Sequence, residues 1–213
     1  MKKIISIVLG VACLFLLAAC APQRTLHKKV DPSWTAAPSN VTVYVLDTKI
    51  QNGTDFSSAL PNYAGKFTEW FIPLLTTEFK TQSKMDMIVE PVVSKAGHFT
   101  REKKAFKHDM DFVVSRPTAK QLGETKGTVI TISGLTFNRH VRVKRYNGDK
   151  IYYYGVQVYA NYSIYSVDNK KELAYGRLDV LEESEDYTPK EAIWAKVTNQ
   201  LVSDILADTP FNK

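Results

Sequence analysis

The chain has 213 residues, of which 44% are hydrophobic, and its 28 Lys and Arg outnumber its 22 Asp and Glu to give a net charge of +6. Its two cysteines, Cys13 and Cys20, both fall within the first 20 residues. A structural disulfide framework is therefore excluded for the rest of the chain, and a hydrophobic core must hold the fold together.

The first 20 residues have the pattern of a secretory signal. Lys2 and Lys3 precede an apolar run that ends at residue 19, shorter than the ~20 apolar residues of a membrane-spanning helix. The run closes with LAAC at residues 17–20, which resembles the processing motif of bacterial lipoproteins. This resemblance implies a signal peptide at residues 1–19 and lipidation of the Cys20 thiol, with palmitate as an acyl group. The alternative is an ordinary signal peptide in which Cys20 is incidental.

The same resemblance implies a location and a class of partner. In the enteric sorting scheme, Asp after the lipidated Cys retains a lipoprotein at the inner membrane, whereas this chain has Ala21. We therefore expect a lipid anchor in the outer membrane, with the domain on the periplasmic side rather than at the cell surface. Without Lys2 and Lys3 the chain keeps 26 Lys and Arg against 22 Asp and Glu. This mild excess favours anionic lipid, lipopolysaccharide or wall polymer over nucleic acid as a partner.

Residues 20–40 are predicted to be a lipid anchor followed by a flexible tether. Three prolines interrupt the segment, and it shows no periodic apolar pattern. Two interpretations stay open for its basic cluster: a plain solvated linker, or a contact with anionic headgroups near the anchor. The cluster consists of Arg24, His27, Lys28 and Lys29.

Residues 41–213 are predicted to be one globular domain. Alternating or continuous apolar runs predict strands at residues 41–47, 87–93, 128–146, 150–165 and 172–181. Pro91 favours an edge position for the second of these. Apolar residues three and four apart predict a helix around residues 67–79, kinked or restarted at Pro73, and a C-terminal helix that Thr188 caps. A short helix that ends at Gly123 is also predicted, a polar loop over residues 47–61, and an acidic loop over residues 182–186.

These elements predict an α+β fold of the α/β type, with a mixed sheet, a C-terminal antiparallel meander and two main packing helices. The order resembles the domain shared by the curli-secretion lipoprotein, the lipoprotein activators of penicillin-binding proteins, and the N-terminal domain of the Tol-system propeller protein. Three stretches carry the resemblance: VTVYVLD at 41–47, TAKQLGETKGTVITISGL at 118–135, and YSIYSVDNKKELAYGRLDV at 162–180. The chain departs from that family in its basic segment at 95–116, and the usual Pro-Phe after the first strand is missing.

Motifs for chemistry are few. The sequence has no Gly-rich phosphate loop and no nucleophile elbow, and an acylated Cys20 leaves no free thiol. The run HDMD at residues 108–111 offers metal ligands, but neighbours in sequence usually point apart, so a solvated loop is the better interpretation. We therefore predict a non-enzymatic protein without a cofactor or metal ion.

The hairpin around Asn147-Gly148 is the most unusual feature. A two-residue turn pairs Tyr146 with Asp149 and assigns each side chain to one of two faces. One face is predicted to be core and collects Val141, Val143, Tyr152, Tyr154, Val156 and Val158. The other, called the stripe below, collects His140, Arg142, Lys144, Tyr153, Gln157 and Tyr159.

Three interpretations of the stripe stay open. It either steadies the hairpin by cross-strand pairs, docks a protein or an envelope polymer, or binds nucleic acid, which export disfavours. We predict an accessory lipoprotein that docks on an envelope protein complex in assembly, secretion or wall synthesis. The alternative is a peptidoglycan- or lipopolysaccharide-binding module that uses the stripe and the basic residues of segment 95–107.

Overall fold

The structure is a computed structural model, and it describes residues 23–38, 40–51, 63–92, 97–106, 110–184 and 191–212. The predicted signal peptide, Cys20, most of the polar loop at 47–61, His108, Asp109 and the Thr188 cap lie outside these residues. Within the described ranges, no helix is long and apolar enough to cross a membrane.

A mixed sheet of seven strands forms the centre of the fold. Its order is β1-β9-β8-β7-β2-β4, and the short β3 pairs with β7 beyond the end of β2. The strands are β1 (Gln23–Val30), β2 (Val41–Leu46), β3 (Lys49–Ile50), β4 (Met87–Val92), β7 (Thr128–Tyr146), β8 (Asp149–Ser166) and β9 (Lys171–Ser184). Strand β2 runs parallel to β4 and β7, whereas β7, β8, β9 and β1 pair antiparallel. The predicted mixed sheet and meander are confirmed, in an α+β fold that strands dominate.

Two long helices cover one face of this sheet, which we call the helix face. They are α1 (Tyr63–Ser83), which contains Pro73, and α3 (Glu191–Leu206); a short α2 (Ala119–Glu124) and a 3-10 turn (Pro210–Asn212) complete the helices. The aromatic rings of Phe67, Phe71 and Trp194 surround that of Phe137 at centroid distances of 5.0–5.6 Å. Because Phe71, Phe137 and Trp194 are all fully buried, this cluster is the centre of the core.

A two-stranded sheet covers part of the opposite face, and the sequence did not predict it. Strands β5 (Phe99–Phe106) and β6 (Met110–Pro117) pair antiparallel across the basic segment. Lys104 is the buried link to the main sheet: its ammonium donates to Glu102 and Glu172 at 2.7 Å and lies 4.7 Å from the ring centroid of Tyr175. Burial disfavours that ammonium, but its hydrogen bonds to the two carboxylates outweigh the burial and raise the pKa of Lys104.

The prediction of a flexible tether is wrong for residues 23–30. This segment is the edge strand β1, paired with β9 from Gln23–Leu181 to Val30–Ala174. Its basic residues serve the fold: Arg24 bonds Asp204 at 2.8 Å, and Lys28 donates to carbonyl oxygens of Asp204, Ile205 and Ala207. These carbonyls lie at the end of α3, where a helix has no partners of its own and favours cations. Burial lowers the pKa of Lys28 to about 8.

A β-bulge in β7 sets which side chains meet the core. The register with β8 shifts between Ser133 and Thr136, and Gly134 has a φ of +60°. Buried side chains on the helix face therefore change from the even positions Ile130 and Ile132 to the odd positions Leu135 and Phe137. Without this extra residue, the whole far part of β7 would turn its opposite face to the helices.

Candidate functional site

Among the described residues, the β7–β8 hairpin extends beyond the layers around it. Strand β9 ends at Ser184 opposite Tyr154, and the described pairing of β3 with β7 ends at Phe137. The turn is as predicted: Tyr146 pairs with Asp149, and Asn147 and Gly148 both have positive φ, as a type I′ turn requires. We call residues 128–138 and 157–166 the near half of the hairpin, and residues 139–156 the far half.

The predicted core face is core in the near half and at Val156, the position of the far half that adjoins it. Val156 and Val158 are buried, but Val141 is 50% exposed, Val143 47% and Tyr152 43%. The prediction is therefore wrong for these three residues. The alternation is correct, but in the described structure the helices do not cover the far half beyond Val156. The half-buried ring of Tyr154 stacks on Tyr152 at a centroid distance of 6.3 Å, which orders this apolar surface from within the hairpin.

The stripe lies on the opposite face and is organised by a carboxylate from β9. Glu183 accepts two hydrogen bonds from Arg142, one of them at 2.8 Å from Nε, and lies 3.2 Å from Nε2 of His140. The guanidinium of Arg142 and the ammonium of Lys144 lie 4.8 and 5.2 Å from the ring centroid of Tyr153. Charge pairing and cation–π contacts therefore hold the stripe in one arrangement.

The ion pair of Arg142 and Glu183 shifts the pKa values of both groups. The hydrogen bond from Arg142 lowers the pKa of Glu183, although partial burial of the carboxylate opposes it, and the same bond raises the pKa of Arg142. Further along, Gln157 donates to Asp179 at 2.9 Å. Burial, and then the charge of Asp179, raise the pKa of Tyr159. Both ends of the stripe thus face carboxylates that β9 supplies.

Sequence reasoning missed these two carboxylates. It ended the last strand at Leu181 and assigned the following acidic residues to a loop, but β9 continues to Ser184, so the loop prediction is wrong for residues 182–184. Asp179 and Glu183 are four positions apart, so their side chains share one face of β9, and the pairing with β8 makes this the stripe side. That spacing was visible in the sequence, whereas the pairing of β9 with the far half of the hairpin was not.

Three described cations of the basic segment are also paired. Arg101 lies 3.5 Å from Asp47, Lys103 pairs with Asp111, and Lys104 is enclosed by two carboxylates. A polymer-binding surface that uses this segment would have to compete with those partners. Within the described residues, no group of three or more His, Cys, Asp and Glu is placed to hold a metal ion.

Comparison with known proteins does not identify the chain. No known family and no curated protein matches it. Two crystal forms of a PelC dodecamer from Paraburkholderia phytofirmans, one of them a point variant, are 9% and 8% identical and have a TM-score of 0.40. They are covered over 99% and 98% of their length and cover 87% of this chain.

A protein described as a homolog of the neuraminyllactose-binding hemagglutinin, from Helicobacter pylori, is 10% identical with a TM-score of 0.38. It is covered over 86% of its length, and 84% of this chain is matched. These scores are too low to carry an argument about fold or function. The structures are not members of the families that the sequence resembles, so that resemblance stays a prediction.

Proposed function

We propose that this chain is a non-enzymatic accessory lipoprotein, anchored in the outer membrane through Cys20, that docks on an envelope protein through the stripe. The observation that carries the proposal is the stripe on a preformed hairpin, which the described residues leave partly exposed. Tyr153 and Arg142 are held against each other in that stripe before any partner arrives.

Pre-organisation is the physical argument for docking. Ordering a flexible side chain at an interface costs about 0.5–1.5 kcal/mol, and groups that are already ordered in the free protein avoid most of that cost. Tyr and Arg are also the residues enriched among those that dominate binding energy. Among the described residues, the β5–β6 layer contacts this face of the sheet further along, at Tyr165 and Tyr175, and leaves the stripe partly exposed.

The test is photo-crosslinking in intact cells, followed by affinity purification and mass spectrometry. A photoreactive amino acid replaces Tyr159 in the stripe, and a control protein carries it at Ile88, which is 61% exposed on the edge strand β4. We expect one envelope protein to be captured from position 159 and not from position 88. The same partner captured equally from both positions would contradict docking through the stripe.

A charge-swap variant separates recognition from folding. Arg142→Glu together with Lys144→Glu adds two carboxylates to the face that holds Glu183. Loss of binding by that variant therefore reflects either a lost contact with the partner or a disrupted stripe. Arg142→Glu with Glu183→Arg keeps an ion pair and reverses its direction. We expect this swap to melt like the native protein and to lose its partner. Unchanged affinity would leave the stripe with a structural role, and purified peptidoglycan or lipopolysaccharide would then be tested as the ligand.

A further inference from the structure

The register of β1 fixes where the lipid anchor can lie. Gln23 pairs with Leu181, Leu181 with Gln157, and Gln157 with Asn138, so these residues form one row across the sheet. Cys20 precedes Gln23 by three residues, and a chain of that length spans at most about 11 Å, whatever path it takes. A bilayer that holds the lipid of Cys20 therefore lies close to this row.

The far half of the hairpin extends from the same row, beyond the end of β1 that is nearest the anchor. Eight residues separate Asn138 from Tyr146, which at about 3.3 Å per residue places the turn about 26 Å beyond the row. Strand β1 begins at this end and runs away from it. Because 26 Å exceeds the reach of the three anchoring residues, the hairpin meets the bilayer unless the domain turns that end away.

The side chains on the helix face of the far half are suited to a contact with the bilayer. Five exposed side chains share this face, and we call them the tip surface: Val141, Val143, Arg145, Lys150 and Tyr152. Exposed Val and Tyr beside basic residues are the composition of elements that lie at a membrane interface. The stripe lies on the other face, so the two surfaces do not compete for side chains.

The positions of Arg145 and Lys150 also favour an anionic ligand. They lie directly opposite each other in the hairpin, both exposed, and within the described ranges neither forms an ion pair. Like charges in that position destabilise a sheet by themselves. An anionic headgroup between them would remove the repulsion, which neutral lipid cannot do.

We propose that the tip surface is a second membrane contact, in which Val141, Val143 and Tyr152 enter the headgroup region and Arg145 and Lys150 bind anionic phospholipid. The inference rests on the proposed lipidation of Cys20. Together the anchor and the tip surface hold the sheet at a fixed angle to the bilayer and present the stripe in one orientation.

The test uses the full lipoprotein, purified from membranes and reconstituted in vesicles of phosphatidylethanolamine and phosphatidylglycerol. The mature chain would have no free thiol, so Val143→Cys supplies a unique site for a fluorophore, and Asn169→Cys supplies a matched control in the turn at the opposite end of the sheet. We expect lipids that carry a nitroxide quencher to quench the fluorophore at position 143 and not at position 169. Equal, weak quenching at both positions overturns the proposal.

Charge dependence is tested with Arg145→Glu and Lys150→Glu combined. This variant keeps two like charges opposite each other, so its melting temperature should match the native one and only the sign presented to lipid changes. We expect the fraction of molecules in which position 143 contacts lipid to fall at least fivefold, since each cation near an anionic surface strengthens membrane binding by about that factor. Equal quenching in phosphatidylcholine vesicles overturns the assignment of anionic headgroups.

Flotation with the vesicles and incorporation of a palmitate analogue at Cys20 are measured on the same samples. A protein that floats and takes up palmitate, yet shows no quenching at position 143, contradicts the tip surface and leaves the lipid anchor intact. A protein that does neither contradicts the anchor itself and the inference that rests on it.

Discussion

The two halves of the β7–β8 hairpin carry the same residue types on the helix face, but these are buried in the near half and exposed in most of the far half. In the near half, Phe137 and Val158 are buried under the helices. In the far half, Val141 and Val143 continue the same alternation on the same face and are about half exposed. Local sequence therefore does not distinguish a core face from an interaction surface, because the distinction lies in whether another layer extends over it.

The face opposite the helices shows the same contrast between a covered and an exposed region. In the near half, Lys104 from the β5–β6 layer is buried between carboxylates on that face. In the far half, Lys144 is exposed, and the described residues give it a cation–π contact with Tyr153 but no ion pair. A cation holds two layers together in one place and remains available to a partner in the other.

The largest expected difference between the halves comes from truncation on the helix face. Phe137→Ala removes a fully buried ring and should lower the free energy of unfolding by about 3–5 kcal/mol. Val143→Ala, six residues along the same strand, should change it by less than about 0.5 kcal/mol. Urea unfolding of both variants measures this. A cost above 1 kcal/mol for Val143→Ala would mean that another part of the chain covers the far half.

A smaller difference is expected between the two lysines. Lys104→Met leaves Glu102 and Glu172 without their shared cation and should cost about 3 kcal/mol, as does breaking other buried ion pairs. Lys144→Met should stay within about 0.5 kcal/mol of the native protein. Adding Glu102→Gln and Glu172→Gln to Lys104→Met should recover most of the loss. Thermal melts that show no recovery would assign the cost to packing against Tyr175 instead.

The smallest effect is a dependence on pH within the stripe. Because Arg142 lowers the pKa of Glu183 in the folded state, this pair stabilises the fold above the unfolded pKa of about 4.3 and ceases to do so as pH falls through the lowered value. At pH 7, Glu183→Gln should cost about 1 kcal/mol, since the pair is partly exposed. The difference between the two proteins should shrink below pH 4.

A matched background checks the origin of that pH dependence. In Arg142→Gln protein, Glu183→Gln should cost little at any pH. If the pH dependence of unfolding persists there, it arises from carboxylates other than Glu183.

Much of the fold could be predicted from the sequence, and the failures share one cause. Asn147-Gly148 fixes the hairpin register by itself, because its turn requires two positive φ values, and every predicted cross-strand pair is confirmed. By contrast, β1 was predicted as part of a tether because prolines flank it and its own residues, two lysines among them, show no apolar period. It becomes a strand because β9 offers an open edge and α3 offers bare carbonyls, both distant in sequence.

What the sequence by itself determined is local: the apolar run that ends at Cys20, the period of each helix and strand, and the turn that sets the stripe on one face. Only the tertiary structure decided that Glu183 and Asp179 complete the stripe and that, among the described residues, the far half beyond Val156 stands clear of the helices. It also decided that the start of β1 and the hairpin tip point to the same end of the sheet. The reason is physical. Periodicity and turn geometry depend on neighbours along the chain, whereas burial and ion pairing depend on where elements distant in sequence begin and end in the fold.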